Sequence, residues 1–191
     1  MNSVGLLIYL KFFMSQNTGW QQISRTTLLD SKFLKVYQDR VLLPNNSERD
    51  YFLTKKSDIV VIVATTPDGQ IILLDEYKYA AGKYMTVLPA GHIENNEDAV
   101  EAAKRELREE TGYEGKEYIY LGQLFEAPVQ DLHKVQVVRV KDAQKQTNTS
   151  HENSEDITSY LITKEKLKEK ILNNQIQSCS TLGALSLSGL I

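Results

Sequence analysis

With 191 residues, 41% of them apolar and only four prolines, the chain is long enough to fold as one globular domain around a real core. Its net charge of −3 supplies no basic field for nucleic acid, and no block of lysines marks a membrane surface. A single cysteine, Cys179, excludes an intramolecular disulfide framework and fits a reducing, cytoplasmic setting, where it is expected as a small buried apolar residue.

Residues 4–13 are apolar, but Lys11 interrupts them, no charged region precedes them and no small-x-small site follows, so they do not read as a signal peptide. They are also too short to span a bilayer. Residues 1–16 are read as an extension, either without a role if Met14 is the start, or an apolar arm that packs on the domain or a partner. Residues 20–29 and 33–43 read as strands of a separate N-terminal piece, within residues 17–56, whose strands end at Pro44-Asn45-Asn46. The main domain is expected over residues 57–191.

Residues 59–65 and 71–75 are apolar runs around the turn signal Pro67-Asp68-Gly69 and predict a hairpin. A short strand over 84–88 leads into Pro89-Ala90-Gly91. A helix follows, with Asn95 or Asn96 as its N-cap, Glu97 and Asp98 in its first turn, and Gly112 just past its C-terminus. Residues 118–125, 135–140 and 157–162 predict strands. Residues 164–172 and 179–190 predict helices. The polar tract 141–156 has no periodicity and is too long for a tight connection, which makes it a candidate lid. Strands and helices that interleave in this way predict a layered α/β domain.

The helix before Gly112 carries acids where its dipole disfavours them, in the last turn. Glu106 and Glu110 face each other one turn apart, a like-charge pair that costs about 0.2–0.5 kcal/mol unless a cation lies between them. At 100° per residue they flank the apolar stripe of Val100, Ala103 and Leu107, with Ala99 at its edge, and the small alanines are expected to leave room for a metal and substrate. Glu101, Lys104 and Arg108 point to the solvated side. Ordinary surface ion pairing accounts for those three but not for acids beside an alanine stripe.

Gly91, Glu97, Arg105-Glu106-Leu107, Glu109-Glu110 and Gly112 together resemble the Nudix box, with Tyr113 standing where an aliphatic residue is usual. The resemblance implies a mixed β-sheet between helices, preceded by a strand-rich segment. It implies hydrolysis of a phosphoanhydride with magnesium, or manganese, and more than one ion. Glu106, Glu109, Glu110 and the carbonyl of Ala90 would hold metal, with Gly91 allowing the turn that exposes that carbonyl. Glu97 and Arg105 would brace loop against helix.

Within that family the chain is most similar to the ADP-ribose pyrophosphatases, on its strand-rich N-terminus, Leu88-Pro89-Ala90-Gly91, the box and Pro128. This likeness implies a nucleoside diphosphate sugar as substrate and a homodimer with swapped N-terminal strands. It also implies Glu155 as a metal-proximal acid, Glu152 as the alternative base, or both as merely solvated. Lys78, Pro128, His133 and Arg49 are candidate substrate contacts. Tyr77 and Tyr84 read as core aromatics, with stacking on a base as the alternative. Departures occur at Lys78, Val87 and Val129, where arginine, glutamate and glycine are frequent, so a different nucleotide sugar, a dinucleotide or a damaged nucleotide is an alternative substrate. A non-catalytic nucleotide-sugar sensor is a further reading.

Overall fold

The computed structural model describes residues 19–147, 149 and 156–191, and these fall into two units, divided between Lys55 and Lys56. The first is an antiparallel sheet of β1 (Gln21–Asp30), β2 (Lys35–Leu42) and β3 (Glu48–Lys55), in that order. Its centre is an ion pair. The Arg25 guanidinium donates from Nε and Nη2 to the two oxygens of Asp39, 2.7 Å each, and lies 4.6 Å over the Tyr37 ring. That fork holds the Asp39 carboxyl below its ordinary range. β3 departs from expectation. Pro44-Asn45-Asn46 is a turn inside the sheet, with Asn46 at φ +62° and its N–H donating to the Leu43 carbonyl. The charges Glu48, Arg49 and Asp50 at the start of β3 hide the strand pattern that follows them.

The second unit contains β4 (Ile59–Ala64), β5 (Ile71–Lys78), β6 (Lys83–Val87), β7 (Ala90–His92), helix α1 (Ala99–Thr111), β8 (Tyr113–Glu114), β9 (Glu117–Leu124), β10 (Val135–Lys141), β11 (Gln144–Lys145), β12 (Ile157–Ile162), α2 (Lys164–Leu172) and α3 (Cys179–Leu187). β7-β4-β10-β9 is a mixed sheet in which β4 and β10 run parallel. β12-β5-β6 is an antiparallel sheet, and β11-β8 a small ribbon. The mixed sheet between helices is the expected architecture.

Alternation sorts the core into two layers. Val60, Ile62, Val138 and Val140 face α1 through Ala102, Ala103 and Leu107. Val61, Val63, Val135 and Val137 face Leu167 of α2 and Ala184 and Leu185 of α3. Because β4 is covered on both faces, it reads as the continuous run IVVIVA rather than an alternating one. It is therefore not half of a hairpin. Both of its edges are taken, by β7 and β10, and only the Thr65–Ile71 bridge joins it to β5, which turns into the other sheet. The Pro67-Asp68-Gly69 turn itself forms, with the Gly69 N–H donating to the Thr66 carbonyl.

Four further expectations are corrected. The N-cap of α1 is Asp98, whose Oδ1 accepts from the N–H groups of Val100 and Glu101 at 2.9 Å; Asn96 sits at φ +67° in the preceding turn, and Glu97 precedes the helix. Asp98 wins because it is the residue with extended backbone and an acceptor within reach of two free N–H groups. α3 ends at Leu187, with Ser188 as its cap. Cys179 is exposed, since it opens that helix rather than facing inward. Tyr77 and Tyr84 are exposed as well, packed edge to face on the open face of β5 and β6. Replacing the α1 cap, Asp98→Ala, should cost about 1 kcal/mol and lower the melting temperature by about 2–4 °C in a thermal melt, with no change in secondary-structure content.

Candidate active site

α1 runs from the Asp98 cap to Gly112, which takes the left-handed conformation (φ +74°) and donates its N–H to the Arg108 carbonyl at 2.9 Å. Glu106, Glu109 and Glu110 thus occupy its last two turns, with Glu110 buried, Glu106 nearly so and Glu109 open. The Ala90 N–H donates to Glu110 Oε2 at 3.0 Å, tying the buried carboxylate to β7.

Gly91 is where β7 meets the helix. A Cβ there would fall 1.9–2.3 Å from the carboxylate atoms of Glu106, so only glycine lets that carboxylate lie against the backbone. The room at the site comes from Gly91. Ala103, expected with Ala99 to supply it, is wholly buried in the core against β4, and Ala99 packs at the margin of that core.

Arg105 organises the surrounding charges. Its Nε and Nη2 donate to Glu97 at 3.0 and 2.8 Å, Nη2 also to the His92 carbonyl at 2.9 Å, and Nη1 to Glu106 at 2.7 Å and Glu109 at 3.3 Å. Bonding to Glu97, aided by Glu106, raises the guanidinium further above its ordinary range. The same bond holds the Glu97 carboxyl below its usual value against the opposing effect of burial, and the Glu94 N–H adds to it.

Ala90, Gly91, Arg105, Glu106, Glu109 and Glu110 line a cleft of about 760 Å³. Lys78 also lines it, 2.5 Å from Glu76, together with Glu126 and the start of α3. Glu126 was not foreseen, and its only sequence signal is a position just after a strand end. Pro128 is exposed and His133 is buried, and neither is on the cleft wall. Arg49 lies on β3 of the first unit, with its guanidinium 5.7 Å from the Tyr51 ring centre. Glu152 and Glu155 fall outside the described residues, with the rest of 150–155 and residue 148 of the candidate lid.

Residues 55–178 match the NUDIX domain. The chain belongs to the Nudix family. Residues 20–53, which carry β1 to β3, match a second family, the nucleoside diphosphate sugar hydrolase N-terminal domain. An ADP-ribose pyrophosphatase of Bacillus subtilis is 28% identical over 106 residues, 56% of this chain and 57% of that protein. A methanol dehydrogenase activator of Bacillus methanolicus is 30% identical over 99 residues, 52% and 54%. The chain thus spans little more than half the length of either relative. The crystal structure of an ADP compounds hydrolase superposes with a TM-score of 0.79 at 22% identity, over 89% of this chain and 92% of that one, a likeness of fold.

Nudix hydrolases generally act with divalent metal ions. Among the described residues no three acidic, histidine or cysteine side chains form a ready-made metal cage. The donor set nonetheless fits a hard cation that keeps several waters and takes one or two protein carboxylates. A carboxylate pressed against a bare glycine backbone and another almost wholly buried at a helix C-terminus supply that set. Among the described residues no helix is long and apolar enough to cross a membrane.

The Glu97–Arg105 bond has a testable pH signature. A depressed carboxyl contributes stability that is present above its unfolded value, near 4.5, and lost as pH falls through the lower folded value. Glu97→Gln should therefore melt below the wild type at pH 7, with the gap closing as pH drops below about 4.5; calorimetry across that range measures it.

Proposed function

We propose that this protein hydrolyses the pyrophosphate of a nucleoside diphosphate sugar with magnesium, most directly ADP-ribose to AMP and ribose 5-phosphate. The observation that carries the proposal is the convergence of Glu106 and Glu110 on the Ala90-Gly91 backbone at one end of a cleft sized for such a ligand. The relative named as an ADP-ribose pyrophosphatase and the N-terminal match to nucleoside diphosphate sugar hydrolases support the substrate class.

Glu106, Glu109, Glu110 and the Ala90 carbonyl would hold magnesium. When bound, magnesium neutralises the pyrophosphate and acidifies a coordinated water. The chain's own residues then supply position. Arg105 fixes Glu106 and Glu109 relative to the 92–97 loop, and Gly91 keeps space beside Glu106. Lys78, on the cleft wall, offers its ammonium to a phosphate once it exchanges Glu76 for substrate. Glu155 as a further metal-proximal acid, Glu152 as the alternative base, and Pro128 and Arg49 as substrate contacts rest on the sequence alone, whereas His133, expected there too, is buried off the cleft wall and is not proposed as a contact. A cytoplasmic homodimer completes the proposal. It is supported by β1, which is exposed along its whole length and carries Ile23, Leu28 and Leu29.

Magnesium-dependent release of AMP from ADP-ribose is the test, beside GDP-mannose, UDP-glucose and NADH as competitors. Glu110→Gln should lower kcat by at least about 100-fold, and Gly91→Ala should do likewise by displacing Glu106, each without unfolding the protein. Wild-type protein inert on every nucleotide sugar with several divalent metals would overturn the proposal.

A further inference from the structure

The mixed sheet has two edges, and the Nudix carboxylates use only one. In register across it lie His92 of β7, Ile59 of β4, Val135 of β10 and Leu124 of β9. Three strand spacings of about 4.8 Å put β9 about 14 Å from β7. β9 bulges at Gly122, whose φ is +136°, and a bulge re-aims the chain that follows it. Two residues beyond Leu124, Glu126 enters the cleft from that far edge. A bound molecule would meet Glu126 with a different part from the one that meets Glu106 and Glu110.

Glu126 is held in place. Its Oε2 lies 3.3 Å from Nε2 of His133, an imidazole 4% exposed in its side chain, whose other nitrogen is buried without a hydrogen bond, 3.9 Å from Asp131. Backbone bonds from Gln130 and Asp131 to the Ala127 carbonyl tighten the loop between them. The Glu126 side chain is still a third exposed, so acceptor sites remain for a ligand.

A carboxylate repels phosphate and takes hydrogen-bond donors. No phenylalanine, tyrosine or tryptophan lines the cleft among the described residues, and its one aromatic ring, His92, sits on the β7 edge with the Nudix carboxylates, away from Glu126. Vicinal hydroxyls, which a two-oxygen acceptor can engage in pairs, suit this wall. We infer that Glu126 recognises the hydroxyls of the sugar beyond the pyrophosphate, with buried His133 as its positioning residue. This inference rests on the proposed nucleotide-sugar hydrolysis.

The experiment uses the full chain with magnesium and ADP-ribose, and reads kcat, KM and inhibition by each product separately. Glu126→Gln should raise KM for ADP-ribose about tenfold, the loss of one charge-assisted hydrogen bond, with kcat changed far less. Inhibition by ribose 5-phosphate should weaken by the same factor, while inhibition by AMP stays within about twofold. His133→Gln should shift KM in the same direction by a smaller factor, and adding it to Glu126→Gln should cost nothing more, because it acts through that carboxylate. If His133→Gln does not fold, the single Glu126 variant still decides. Unchanged KM and unchanged ribose 5-phosphate inhibition in an active enzyme would overturn the inference and leave the hydrolysis standing, as would weakened AMP inhibition alone. An inactive wild type would overturn both.

Discussion

Arg105 reaches Glu97, the His92 carbonyl, Glu106 and Glu109 with one guanidinium, and the arrangement of the acidic site depends on it. A helix that ends in three glutamates works against its own dipole and its own like charges. A planar five-donor cation in their midst offsets that repulsion and gives the Glu106 and Glu109 carboxylates a direction. Lysine, a point charge, could not face loop and helix together. The interaction is also partly shielded from water, so it is less screened than an open surface pair.

The second constraint is steric. β7 passes so close to α1 that the Glu106 carboxylate fills the space where a side chain at Gly91 would be. The approach is possible because α1 packs on β4 through Ala102 and Ala103, small residues that flank Glu106 on the same side of the helix. Small residues therefore serve two purposes where helix and sheet meet. The alanines bring helix to sheet, and the glycine brings backbone to carboxylate. The small-residue pattern is visible in the chain, but the room expected beside Ala99 and Ala103 is made by Gly91.

A similar division runs through the rest of the unit. α1 and the strands 117–124 and 135–141 were legible because 3.6-residue and two-residue periodicities are local properties. The hairpin expected over residues 59–75 was not formed, because strand partnership is decided by competition among all edges, and β7 and β10 outcompeted β5 for β4. Tyr77, Tyr84 and Cys179 were expected inside and lie outside, since hydrophobicity alone does not say which face of an edge strand or which end of a helix is covered.

The sequence by itself determined the spacing of Glu106, Glu109 and Glu110 along one helix, the glycine that ends it, and the family to which that spacing belongs, because each depends on residues within a few turns of one another. Only the tertiary structure decided that Gly91 abuts Glu106, that Arg105 also reaches the His92 carbonyl, and that Glu126 joins the same cleft backed by His133. Those juxtapositions join stretches far apart in the chain. They are set by which strands share a sheet and by how closely the helix packs on it, and neither is written in any local pattern.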